Sequence, residues 1–196
     1  MRGAPVTTLL GLLTGGLLTG CASDSTAITA EPLCSDGSGN ADNGVVLMAQ
    51  SVPTATSVPC ISAALPLGWN FEHLDARNGV SRFWLSSDRD GQQAVEVRLE
   101  KSCDTAGATE VPSDREGMTR LERVDRLTPS YAGARYYLFD GGCLTFVFAL
   151  AGNNAGEALG VSSQVVGVVA RADLAAQVQK ESGGRLSLDP PPGNGR

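Results

Sequence analysis

His73 is the only histidine in the chain, and it stands two positions before Asp75 in the run Trp69-Asn70-Phe71-Glu72-His73-Leu74-Asp75-Ala76. Residues two apart on a strand share a face, so His73 and Asp75 have the types and spacing of a general base and its orienting carboxylate, with Glu72 on the other side. Ordinary half-buried strand histidines meet the same description, and the rest of a hydrolytic apparatus is missing. No serine occupies a Gly-x-Ser-x-Gly elbow, and there is no phosphate loop, dinucleotide fingerprint or His-Glu-x-x-His pair. The 21 acidic side chains can supply the two facing carboxylates of glycoside hydrolysis, but acids this abundant carry no information about placement. Trp69, Trp84, Tyr131, Tyr136 and Tyr137 could line a sugar or peptide groove; with so few aromatics, most are expected in the core. No catalytic residue and no cofactor is assigned.

A metal centre lacks its ligands as well, with one histidine and no Cys-x-x-Cys spacing. Asp36, Ser38, Asn40 and Asp42 alternate as in a calcium loop, yet the sixth position holds Ala41 instead of glycine and the twelfth holds Leu47 instead of an acid. A solvated linker is the expectation there.

The first twenty residues open with Arg2 and then remain uncharged, with Leu9, Leu10, Leu12, Leu13, Leu17 and Leu18 as the apolar mass. A short positive start followed by an apolar middle is the layout of a secretory signal. Gly11, Gly15 and Gly16 interrupt the run, which is at the short end of the roughly 17–25 residues a spanning helix needs. The run closes at Leu18-Thr19-Gly20-Cys21, which resembles the lipobox of bacterial lipoprotein precursors. That resemblance implies cleavage before Cys21, attachment of diacylglycerol to its sulfur, and anchoring by acyl chains such as palmitate on the extracytoplasmic side of the cell membrane. Each buried methylene contributes about 0.8 kcal/mol, so two or three chains hold a protein without further contacts.

With Cys21 spent on lipid, Cys34, Cys60, Cys103 and Cys143 remain, an even number in an exported chain, and two disulfides are expected. Four cysteines allow three pairings. Cys34 with Cys60 and Cys103 with Cys143 is the preferred one, because it joins sequence neighbours without crossing loops.

The formal charge is −6, and removing Arg2 with the leader makes it −7. Nucleic acid and anionic headgroups reward clustered Lys and Arg, so neither is an expected partner. The length after the leader suits one domain with flexible ends.

Residues 22–43 are rich in Ser, Asp, Gly and Asn and read as a flexible tether, pinned midway by Cys34. Val45–Ile61 reads as a short strand or extended packing segment. Arg77-Asn78-Gly79 joins the runs 69–76 and 80–87, because Asn-Gly is the strongest short hairpin signal. After the turn Asp88-Arg89-Asp90-Gly91, Val95, Val97 and Leu99 alternate with charged residues as on a half-buried strand. Residues 103–118 form a loop. Arg120–Leu127 has Leu121, Val124 and Leu127 three apart, but the neighbouring hairpins and Thr128-Pro129 favour a charged edge strand. Tyr136–Phe139 and Cys143–Leu150 flank Asp140-Gly141-Gly142 and predict a second hairpin, its second arm central in the sheet. Asn154 and Glu157 fit a capping box for a helix from Ala155 to Glu181, broken near Arg171-Ala172-Asp173.

These readings give an α+β protein: an antiparallel sheet of five or six strands with a C-terminal helix on one face, stapled by disulfides. Residues 1–20 are the signal peptide, 21–43 the lipidated Cys21 and tether, 44–182 one domain, and 183–196 a disordered tail. The leading expectation for function is a non-catalytic, membrane-anchored binding or interaction module of the cell envelope, whose partner is an envelope protein or a small ligand. The alternative is a carboxylate-dependent hydrolase acting on cell-wall glycan or peptide.

Overall fold

The structure is a computed structural model that describes residues 28–35, 41–62 and 64–188. Cys21, the signal and residues 189–196 lie outside the described residues, as does most of the alternating stretch 36–42. Among the described residues no helix is long and apolar enough to cross a membrane.

Seven antiparallel strands make the main sheet: β2 (Trp69–Arg77), β3 (Val80–Ser87), β4 (Gly91–Glu100), β5 (Thr109–Val111), β6 (Thr119–Arg126), β7 (Tyr131–Phe139) and β8 (Gly142–Leu150). Their order is β2-β3-β4-β8-β7-β6-β5, so β8 is central, as its apolar sequence requires. The hairpins form where the turn residues place them, Arg77 pairing with Val80 and Phe139 with Gly142. Gly141 carries φ +70°, and a Cβ there would lie 1.9 Å from the Thr54 carbonyl oxygen, so only glycine fits this turn.

One sheet face buries Leu74, Phe83, Leu85, Val95, Val97, Leu99, Leu144, Phe146 and Phe148. It is covered by helix α1 (Asn43–Ser51), a two-stranded ribbon of β1 (Ser57–Ile61) and β9 (Val166–Ala170), and helices α2 (Ala155–Val165) and α3 (Arg171–Glu181). The opposite face carries a lattice of charges in which Arg77 and Arg82 both pair with Asp75, and Arg98 pairs with Glu96.

Four expectations are corrected. The sheet has seven strands, with a second sheet of two, instead of five or six strands in all. The cluster from Val45 is helical: Val45, Met48, Ala49 and Val52 recur at 3.6-residue spacing and are all buried, and the Asp42 carboxylate caps the start by accepting from the Gly44 and Val45 amides. The single C-terminal helix is two helices separated by β9, because Val166-Gly167-Val168-Val169 pairs with β1 across the Cys34–Cys60 bridge. A Cβ at Gly167 would lie 2.9 Å from Ser62 Cβ and 3.0 Å from Cys34 Sγ, so the ribbon closes only on glycine. Strand β6 is one in from the edge, since Thr109–Val111 of the expected loop pairs with it as β5.

The structure pairs Cys34 with Cys60 and Cys103 with Cys143. Part of the stretch read as tether is held to the domain: the Ile28 amide donates to Leu74 O and the Leu74 amide to Ile28 O, both at 2.8 Å, and the Cys34 amide donates to Ile61 O. Leu188, in the stretch read as tail, is 6% exposed and packs in the core.

Candidate functional site

His73 and Asp75 share the outer sheet face, but they do not act together. The His73 ring stacks on Trp84 with centroids 4.3 Å apart, and the Arg82 guanidinium lies 5.4 Å from the same indole. Asp75 is taken by Arg77, whose Nε and Nη2 each reach it at 3.0 Å, and by Arg82 Nη2 at 3.4 Å. The histidine is thus an aromatic neighbour and the aspartate an ion-pair hub; no hydrogen bond makes them a base and its orienter. Of the candidate groove aromatics, Tyr136 and Tyr137 are core residues. Cys103–Cys143 lies on the outer face, where it covers Ala134 and Tyr136.

A second polar cluster sits where the inner face runs out of apolar residues, over β6 and β7. The Tyr137 hydroxyl donates to Asp114 at 2.8 Å, Arg135 Nε to Glu122 at 2.6 Å and Arg135 Nη1 to Ser163 Oγ at 2.7 Å. Arg120 pairs with Glu122 and with Asp114. Arg115 lies over the Tyr137 ring and donates to the Ser163 and Val166 carbonyls, the negative end of α2. These contacts fasten residues 112–118 and the α2–β9 corner to the sheet, and they engage their own groups in doing so.

Burial pushes the carboxyls of Asp75, Asp114 and Glu122 up, but hydrogen bonds and charges outweigh it in each case. Arg77 and Arg82 act on Asp75, Tyr137 and then Arg120 on Asp114, and Arg120 and Arg135 on Glu122, so all three end below their ordinary values of 3.8, 3.8 and 4.5. A carboxyl lowered on folding contributes stability that is fully present above its ordinary value and is lost as pH falls through the lower folded one. Glu31, raised by burial and by Asp42, works in the opposite sense. With three lowered against one raised, the urea midpoint is expected to be flat between about pH 7 and 5 and to fall below about pH 4. A midpoint that holds or rises at pH 3 would contradict these pairings.

A large concavity lies elsewhere. An open cleft of about 870 Å³ lies at the end of the sheet, lined by Pro66, Leu67, Gly68 and Trp69, by the β3–β4 turn Ser87–Asp90, by the β8–α2 connection Ala151–Asn154, and by Glu157, Ala158 and Val161 of α2. The volume falls within the range of ligand sites, roughly 300–1,000 Å³. Local sequence explains each wall. Gly68 at φ +83° turns the chain into β2, and its carbonyl accepts from the Asp88 amide at 2.8 Å, which joins the first wall to the second. Buried Asp90 accepts from Ser87 Oγ at 3.0 Å and from the Gly152 amide at 2.9 Å, which joins the second to the third. Ser87 Oγ in turn accepts from the Arg89 and Asp90 amides.

With the floor satisfied in this way, the Asp88 carboxylate, the Arg89 guanidinium and the Asn153 amide have no hydrogen-bond or ion-pair partner among the described residues, and Leu67 is fully exposed beside them. Each segment is legible in the sequence as a turn or a cap; their convergence is not, since it depends on the β2-β3-β4-β8 order. Among the described residues no group of three or more His, Cys, Asp or Glu is placed to hold a metal.

Comparison with known proteins finds no family model, no curated protein and no solved structure that matches the chain.

Proposed function

We propose that the chain is an exported lipoprotein, anchored through lipid on Cys21 outside the cytoplasm, whose domain is a non-catalytic module that captures a ligand in the cleft at the end of the sheet. The observation that carries this reading is the cleft itself: a floor hydrogen-bonded around Asp90, an apolar lip of Pro66, Leu67 and Trp69, and three polar side chains with no partner among the described residues. Concave sites with apolar walls and a few fixed polar groups are the usual form of small-molecule sites. The cleft's other carboxylates have structural duties, Asp90 in the floor and Glu157 with the Asn154 amide at 3.2 Å. His73, the sequence's candidate base, stands on the outer sheet face against Trp84.

Screening the full chain by amide chemical-shift perturbation against a mixed library of saccharides, short peptides, amines and carboxylates tests the reading. Shifts are expected to cluster at Gly68, Asp88–Asp90 and Gly152–Glu157. Responses confined to the His73–Trp84 face, or a library with no cleft responder, would remove the cleft as the site.

A further inference from the structure

We infer that the ligand of this cleft is a neutral saccharide, an inference that rests on the cleft being the binding site. The unpartnered groups select the ligand's chemistry. Asp88 only accepts hydrogen bonds, Arg89 only donates them, and the Asn153 amide does both. A hydroxyl also does both, so the several hydroxyls of a saccharide suit a carboxylate, a guanidinium and an amide lining one cleft. The C–H face of the same ring matches the apolar wall of Pro66, Leu67 and Trp69.

Each competing class fits part of the site and conflicts with the rest. A phosphate or carboxylate ligand suits Arg89 but meets Asp88, Asp90 and Glu157 in a chain of net charge −6. An amine suits Asp88 but leaves Arg89 desolvated against a like charge, and truncating the solvation of a charge without pairing it is costly. An extended peptide is held chiefly through backbone groups, and much of the cleft's backbone is already spent. The Gly68 carbonyl is used by Asp88, the Gly152 amide by Asp90, and the Arg89 and Asp90 amides by Ser87. What remains on offer is side-chain polarity beside an aromatic, the combination that reads hydroxyls.

The test uses the full chain carrying Trp84→Phe, so that Trp69 is the only tryptophan and reports from the cleft. Chitotetraose, cellotetraose and maltotetraose serve as neutral probes, tetragalacturonate as an anionic one and tetra-alanine as a peptide. At least one neutral probe is expected to shift Trp69 emission saturably, with affinity weakened tenfold or more by Asp88→Ala and by Arg89→Ala, and tetragalacturonate is expected to give no saturable change. Both substituted side chains are exposed and have no partner among the described residues, so these variants are expected to keep the fold. Calorimetric titration of the unsubstituted chain repeats the measurement without touching Trp84. No saturable response to any neutral probe, or binding that survives both substitutions within twofold, overturns the saccharide assignment. A cleft that answers tetra-alanine or the library's amines while ignoring every saccharide overturns the assignment and leaves the cleft standing as the binding site.

Discussion

Replacing Cys34 and Cys60 together by alanine is expected to lower the unfolding free energy by roughly 3–4 kcal/mol, and replacing Cys103 and Cys143 by about 4 kcal/mol. The bridges span sequence separations of 26 and 40 residues. The chain-entropy relation for such loops gives about 3.5 and about 4 kcal/mol of constraint on the unfolded chain. Domains are typically stable by roughly 5–15 kcal/mol, so either loss is a large share of the whole. The two bridges also act on different parts of the fold. Cys34–Cys60 holds the entering segment to the β1–β9 ribbon, where Gly167 makes room for the sulfur. Cys103–Cys143 closes a small second core with Ala134, Tyr136, Leu121 and Leu138 on the face away from the helices. Urea unfolding of each double variant measures the effect. A loss below about 1 kcal/mol for either would mean that the unfolded chain is not appreciably constrained by that bridge.

Phe146→Ala is expected to cost about 3–5 kcal/mol, the range for deleting a large aromatic from a packed interior. Phe146 is fully buried at the middle of β8, meets the Tyr137 ring edge-on with centroids 5.9 Å apart, and lies 5.8 Å beneath the Arg115 guanidinium. It therefore stands at the seam between the apolar core and the polar cluster that fastens residues 112–118. Removing it opens a cavity and also loosens the platform on which Arg115 reaches the end of α2. For a domain of this size the thermal midpoint is expected to drop by roughly 6–20 °C. Val147→Ala, one residue on but facing outward, is the control and is expected to cost under about 1 kcal/mol. Equal losses at the two positions would mean that Phe146 is not packed as described.

The hairpins were legible because their signals are local. Asn78-Gly79 and Asp140-Gly141 supply the backbone angles that two-residue turns need, and the alternation of Val95, Val97 and Leu99 marks a strand with one dry face. Helix α1 was misread because Val45 and Val46 suit strands by propensity, while the burial of Val45, Met48, Ala49 and Val52 follows helical spacing. Strand β9 was hidden inside a helical pattern: five residues are too few to outweigh the flanking periodicity, and its reason for existing is β1, more than a hundred positions earlier. The cleft was the least accessible of all. Leu65–Trp69, Asp88–Gly91 and Asn153–Asn154 each carry turn or cap chemistry, but their meeting depends on Asp90 accepting a hydrogen bond from Gly152, 62 residues away. Local sequence preferences hold no record of such a bond.

The pairing of Ile28 with Leu74 changes how far the domain can stray. A tether pinned first at Cys34 would give a leash of 13 residues, roughly 45 Å at full extension, but Ile28 stands only seven residues after Cys21, and seven residues reach about 25 Å at most. With Cys21 as the proposed anchor, the β2 edge is moored within one small-domain diameter of the bilayer. Trp69 lies five residues back along the same strand from Leu74, roughly another 17 Å. With that anchor, the mouth of the cleft would stay within roughly 40 Å of the bilayer, and the proposed ligand would be met in that layer.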